Sequence, residues 1–94
     1  MLKMTFFYME GCPACEKAKP VLAKFEKKHK GRIDVAKFDI NHEKWAIKGW
    51  EVQATPTYLI QDVGSDHPGV FYQGAMNAAE MDKFLAKAME AMEG

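Results

Sequence analysis

The sequence lacks a net charge. Its 13 lysine and arginine residues are balanced by 13 aspartate and glutamate residues, so it has no basic surplus of the kind that follows a nucleic-acid backbone, and no nucleic-acid partner is expected. It also lacks a long apolar run. The longest, Phe6-Phe7-Tyr8-Met9, falls far short of the ~20 residues that span a bilayer, so no membrane partner is expected either. Cysteine is scarce, with only Cys12 and Cys15. That excludes the dense disulfide framework of a small secreted domain, and a bridge across so short a ring would remove little entropy from the unfolded chain. There is no internal repeat, linker or low-complexity segment. The N-terminus does not read as a signal peptide, because Lys3 leads into a short β-type run instead of a long apolar segment ending in small residues. A reducing, cytoplasmic setting is therefore the expectation. In that setting a Cys-x-x-Cys pair serves catalysis or metal binding more often than structure.

What is present is apolar material in quantity. Hydrophobic residues make up 48% of the 94, with 28% charged, which argues against disorder. A chain of this length buries roughly 60–65% of its unfolded surface. One domain over residues 1–94, monomeric, is expected.

Residues 3–9 are rich in aromatics and suit a buried strand, which Glu10-Gly11 breaks. Residues 13–30 read as a helix with Ala14, Ala18, Val21, Leu22 and Phe25 on one face. Pro20 falls inside it, where a proline is expected to kink the helix. His29, Lys30 and Gly31 form its stop, cations followed by a glycine that tolerates left-handed geometry. Residues 33–40 read as a second strand, and Asn41 caps a short helix over about 42–49. Residues 57–61 and 70–73 are strands joined by a Gly64–Gly69 turn, hence a hairpin. Asn77-Ala78-Ala79-Glu80 has the form of a capping box. It opens a final helix with Met81, Phe84, Leu85, Ala88, Met89 and Met92 inward. The order β-α-β-α-β-β-α gives an α/β fold. Its four-stranded mixed sheet, flanked by helices, has the first two strands parallel and the last two antiparallel.

Cys12 stands where the first strand ends and the first helix begins. Free backbone N–H groups and a partial positive charge at a helix N-terminus favour a thiolate over a thiol, so the Cys12 pKa is expected below the free value of ~8.5. Pro13 suits the first turn, where its missing N–H costs nothing. Cys15 follows one turn later on the same face. Thiol–disulfide exchange is the chemistry this favours: Cys12 attacks a substrate disulfide and Cys15 resolves the mixed disulfide. Two other readings stand beside it. A zinc-held scaffold needs two more ligands, and the nearest candidates, His29 and His42, lack finger-like spacing. A buried, unreactive pair is the other.

With these elements in place, the chain resembles the thioredoxin/glutaredoxin superfamily over nearly its full length. The resemblance rests on the strand before Cys12-Pro13-Ala14-Cys15, the helix containing Pro20, Thr55-Pro56-Thr57 before the hairpin, Gly74, and the terminal helix. It implies a thioredoxin fold with Cys12 as nucleophile and Cys15 as resolving cysteine. It also implies a cis-proline at Pro56, which brings the Thr55 backbone beside Cys12 to pair with an extended substrate segment. Tyr8, Gly11, Pro13, Ala14, Thr55, Pro56 and Gly74 are the implied substrate surface. The motif Gly11-Cys12-Pro13 with Ala18-Lys19 is similar to glutaredoxins; Pro20, residues 35–40 and Gly74-Ala75 are similar to thioredoxins.

Departures from the family pattern are specific. Thioredoxins carry a buried aspartate where this chain has Phe6, although their partner lysine is present as Lys37. The Cys15 proton is thus left to Lys37 as a relay, to water, or to the departing Cys12 thiolate. The tryptophan that precedes the first cysteine in thioredoxins is Gly11. The glutathione-binding lysine of glutaredoxins is Met9, and their glycine–aspartate pattern is reduced to Gly74 and Asn77. The expected activity is reduction of disulfides in protein substrates, with electrons from a thioredoxin-reductase-like partner. No metal or organic cofactor is expected beyond the redox-active Cys12–Cys15 pair. The alternatives are a glutathione-linked glutaredoxin, with glutathione as donor, and a non-enzymatic thioredoxin-fold binding module. Ala14 adds no positive charge to hold the thiolate, so a potential of ~−200 to −270 mV is expected.

Four further readings concern residues around this core. Trp45 and Trp50 are expected to pack against the sheet. Tyr8 reads equally as a neighbour of Cys12 and as core. His67 is expected in solvent. Glu10 either raises the Cys12 pKa by like-charge repulsion or points to solvent.

Overall fold

The computed structural model describes residues 1–42 and 54–93. Its elements are β1 (Leu2–Tyr8), α1 (Pro13–Lys28), β2 (Ile33–Asp39), β3 (Thr57–Asp62), β4 (Val70–Gln73) and α2 (Ala78–Glu93). They match the expected strands and helices to within two residues at each end. The expected short helix over about 42–49 falls almost wholly outside the described residues, as does the expected packing of Trp45 and Trp50.

The sheet runs β2-β1-β3-β4. β1 is parallel to β2, with Leu2 opposite Ile33 and Tyr8 opposite Asp39. It is antiparallel to β3, with Met4 opposite Ile60 and Phe6 opposite Tyr58, and β3 is antiparallel to β4. Paired on both edges, β1 is central, and Met4, Thr5, Phe6 and Phe7 are all buried. That accounts for the unbroken apolar run: a strand covered on both faces has no need to alternate.

Cross-strand neighbours share a face. Met4 and Phe6 lie with Ile60 and Tyr58 in one core, joined by Ala18, Leu22 and Phe25 of α1 and by Met81, Phe84, Leu85 and Ala88 of α2. The period of the apolar residues in both helices is thus read out as one packed layer. Met89, expected inward, is 41% exposed. It sits at the rim, where it lines a shallow groove with Leu2, Asp62 and Met92. Met76 is buried, but from the loop before α2.

Polar residues fix the ends. In α2 the capping box closes reciprocally: the Glu80 N–H donates to Asn77 Oδ1 at 2.8 Å, and the Asn77 N–H donates to Glu80 Oε1 at 3.1 Å. α1 closes with the His29 N–H on the Phe25 carbonyl at 3.0 Å, and Gly31 takes φ +87°. Lys28 Nζ and His29 Nε2 then reach Asp82 of α2 at 2.7 and 3.3 Å. In the hairpin, His67 is not merely solvated. Its Nδ1 accepts the Gly69 N–H at 3.0 Å, while its own N–H donates to Ser65 Oγ at 3.1 Å. A short-range polar turn of this kind is the usual way a loop backbone is satisfied without a ladder.

Candidate active site

Glu10 and Gly11 turn the chain from β1 into α1. Gly11 has φ +78°, a conformation glycine adopts without steric cost, and the Cys12 N–H closes the turn on the Met9 carbonyl at 3.4 Å. Cys12 is the N-cap of α1, with extended φ and ψ of −87° and 109° and with Pro13 next. Its carbonyl accepts the first helical bond from Glu16 at 3.1 Å. A sulfur thus stands where a serine or aspartate oxygen would normally cap.

Three groups meet the Cys12 sulfur. The Cys15 N–H donates to Sγ at 3.2 Å, and the Thr55 hydroxyl donates to it at 3.5 Å. The Cys12 thiol itself donates to the Thr55 carbonyl at 3.7 Å. The Thr55–Pro56 peptide bond is cis. These donors hold the Cys12 pKa below its ordinary value: the Cys15 thiol first, the Thr55 hydroxyl next, then backbone N–H groups, with partial burial opposing. Hydrogen bonds to the charged form are what lowers a thiol pKa.

Cys15 is the opposite case. It is fully buried, and burial pushes its thiol pKa up, reinforced by the hydrogen bond it gives to Cys12. Both cysteines are free thiols. The half-buried sulfur thus ionises more readily than an ordinary cysteine, and the buried one less readily. Paired titratable groups pushed apart in this way divide the labour of a reaction.

The remaining candidates fall around this pair. Pro13 and Gly11 are exposed, and Ala14 and Gly74 are half-buried. Gly74, at φ +110°, donates its N–H to the Pro56 carbonyl at 2.9 Å and so ties the end of β4 to the start of β3. Tyr8 stacks on Phe6 at 5.6 Å, and Lys19 Nζ lies 4.8 Å over its ring. Lys37 lies opposite Phe6 in β2, and its ammonium pairs with Glu26 at 3.1 Å on the surface. Glu10 is exposed, with its carboxylate 4.0 Å from His42 Nε2. Glu10, Asp39 and His42 form the one group of three potential metal ligands found among the described residues, and it contains neither cysteine.

Two features of this region were not apparent in the sequence. One is the side-chain contact from Thr55, whose backbone alone the family resemblance brings to the site. The other is Tyr58, which reads from sequence only as a strand residue. It is fully buried, and its hydroxyl has no hydrogen-bond partner among the described residues.

A four-stranded mixed sheet with a cysteine pair at the N-terminus of its first helix defines a thioredoxin-fold protein. The Thioredoxin family profile matches residues 3–87, and the chain belongs to that family. Members of the family are in general oxidoreductases that act on protein substrates with reductase partners. No curated protein sequence matches the chain. Among solved structures it is similar to one titled as a malarial protein, at TM-score 0.82 and 16% identity over 95% of this chain and 98% of that one. It is also similar to chloroplastic thioredoxin z, at TM-score 0.82 and 19% identity over 96% of this chain and 80% of that one. At such identities these likenesses speak for the fold. No helix among the described residues is long and apolar enough to cross a membrane.

Proposed function

We propose that the protein is a dithiol–disulfide oxidoreductase that reduces disulfides in protein substrates. The observation that carries this reading is the asymmetry of the two sulfurs. Cys12 caps α1 and accepts hydrogen bonds from Cys15 and Thr55, while burial pushes the Cys15 thiol pKa up. The Cys12 thiolate attacks one sulfur of a substrate disulfide, forming a mixed disulfide and expelling the other sulfur as a thiolate, which takes a proton. Cys15 then gives up its proton and attacks Cys12 Sγ. The substrate–Cys12 bond breaks, and the second substrate sulfur leaves as a thiolate that takes that proton. Two electrons and two protons pass to the substrate, and the protein is left with a Cys12–Cys15 disulfide.

A reductase or glutathione must then return two electrons. The cysteines carry the electrons themselves, so this reading needs no metal or organic cofactor. Neighbouring surface from Tyr8, Gly11, Pro13, Ala14, Thr55, Pro56 and Gly74 is the proposed substrate platform, and Lys37 remains a proposed relay for protons. The proposed setting is a reducing cytoplasm, where thiols persist. The same fold occurs in a chloroplastic thioredoxin, so fold alone does not specify the compartment.

The test is reduction of insulin disulfides with thioredoxin reductase and with glutathione as alternative donors. Wild type is expected to be active with at least one donor, and Cys12→Ser inactive with both. Full activity in Cys12→Ser would overturn the reading, and the better donor separates thioredoxin-like from glutaredoxin-like behaviour.

A further inference from the structure

The sheet ends in two strands, β2 and β4, and they are not alike. β2 carries Asp34, Lys37 and Asp39, and charges of this kind are what ordinarily keeps an edge from pairing with a foreign strand. β4 is Val70-Phe71-Tyr72-Gln73, with no charge and no proline. Among the described residues it pairs with β3 alone. In an antiparallel ladder alternate residues turn their N–H and C=O away from the partner, so β4 offers backbone donors and acceptors on its far side.

Where α2 lies over that edge there is a groove of about 200 Å³, lined by Tyr72 of β4 and by Glu80, Lys83, Phe84 and Lys87 of α2. Its floor is apolar: the rings of Tyr72 and Phe84 meet at 5.6 Å, tilted by 51°. Its rim is cationic. Lys83 and Lys87 are exposed and stand one helical turn apart, where like charges repel. Neither has an ion-pair partner among the described residues. Glu80, the one carboxylate in the lining, is held at the start of α2 by the Asn77 N–H at 3.1 Å. The two cations further along the helix are thus left without a counter-charge.

An open edge, an aromatic floor and two cations meet here, and each selects a feature of an occupant. The edge selects an extended backbone. The floor selects an apolar side chain. The lysines select acidic residues, and their spacing selects which ones. Four residues of helix rise ~6 Å, close to the ~6.6–6.8 Å between alternate side chains of a strand. Two acidic residues two positions apart therefore match Lys83 and Lys87. We propose that β4 and the adjoining face of α2 are a docking surface for an extended, acidic segment of a partner protein, which adds to the sheet as a fifth strand. None of the lining residues belongs to the surroundings of Cys12, so the surface is separate from the sulfur pair. A second copy of this chain suits it poorly. Pairing β4 with β4 about a two-fold axis puts both lysine pairs on the same face of the joined sheet, and like charges brought together oppose association.

The experiment is an NMR titration of the reduced protein with a blocked, strand-length peptide in which threonine alternates with one phenylalanine and then two glutamates. Saturable shifts are expected at the amides of Val70–Gln73 and at Lys83 and Lys87, with slower solvent exchange of the outward β4 amides. Lys83→Glu combined with Lys87→Glu is expected to weaken binding about tenfold, the combined scale of two exposed ion pairs. Exchanging the peptide glutamates for lysines is expected to weaken it as much, with the protein unchanged. A peptide N-methylated along one edge keeps its side chains but cannot pair as a strand, and it is expected not to bind. The proposal is overturned if the β4 amides do not respond, if the shifts centre on Thr55 and Cys12 instead, or if the lysine or N-methylated peptide binds as well as the original. Shifts of β4 that follow protein concentration without peptide would make a second copy the occupant and would equally overturn it.

Discussion

Gly69→Ala probes how firmly the hairpin that leads back to the active site is held. Gly69 has φ +109°, and a Cβ built there meets Ile60 O at 2.9 Å, Leu59 Cδ1 at 2.9 Å and Gln61 Cγ at 2.8 Å. These contacts are not equal. Gln61 is half-buried and its side chain can swing away. Leu59 is 1% exposed and packed, so it yields little. The Ile60 carbonyl belongs to the β3–β4 pair and moves only if the ladder opens. The backbone strain of a non-glycine residue at such φ costs on the order of 1–3 kcal/mol. The contacts add about 1–2 kcal/mol in the manner of overpacking. Reduced entropy of the unfolded chain returns about 0.4–1 kcal/mol. The net expectation is a loss of about 2–4 kcal/mol.

Gly31→Ala is the internal control. It has φ +87° but nothing within 4 Å of the added Cβ, so it carries the strain without the contacts and is expected to cost about 1–2 kcal/mol less than Gly69→Ala. Urea unfolding with a shared slope gives both values. Equal losses at the two positions would refute the argument from contacts.

Three further outcomes are expected. Alkylation of reduced protein should modify Cys12 before Cys15. The Cys12 rate should rise with pH from below the range of an ordinary thiol, because the Cys15 and Thr55 donors favour its charged form; simultaneous modification of both sulfurs would contradict this. Asp82→Asn should cost about 0.2–1 kcal/mol at neutral pH, the scale of an exposed ion pair. Lys28 first, and His29 second, hold the Asp82 pKa below its ordinary value. The contribution is therefore complete above the unfolded carboxylate pKa and is lost as pH falls through the lower folded one; denaturation of wild type and variant across acid pH checks it. The reduction potential against glutathione should fall at ~−200 to −270 mV, and a value near ~−120 mV would show a stabilised thiolate beyond what Ala14 permits.

The elements and their order were legible because they rest on local signals. The aromatic run of β1, the apolar spacing of α1, and the Asn77–Glu80 capping box are all read within a few residues. Cys12 at the strand–helix junction was equally visible, since Glu10-Gly11 breaks the strand and Pro13 suits a first turn. What escaped was set by register across the sheet and by contacts distant in sequence. Nothing in Thr57-Tyr58-Leu59-Ile60 says that Tyr58 will face Phe6 with a hydroxyl that has no partner among the described residues. Likewise, nothing near His29 announces Asp82, which lies 53 residues away. Spacing alone points Met89 inward, but the buried stripe of α2 is narrower than its apolar pattern. A turn with glycine and proline likewise gives no sign that the His67 ring will accept the Gly69 N–H.

The measurement that tests the account most directly is capture of the mixed disulfide. Reduced Cys15→Ser, incubated with a disulfide-bonded protein such as insulin, is predicted to accumulate a covalent adduct through Cys12. Wild type is predicted to pass through that state and release reduced substrate, and Cys12→Ser is predicted to form no adduct. Adduct formation by Cys12→Ser, or none by Cys15→Ser while wild type still reduces the substrate, would contradict the assignment of Cys12 as the attacking sulfur and Cys15 as the resolving one.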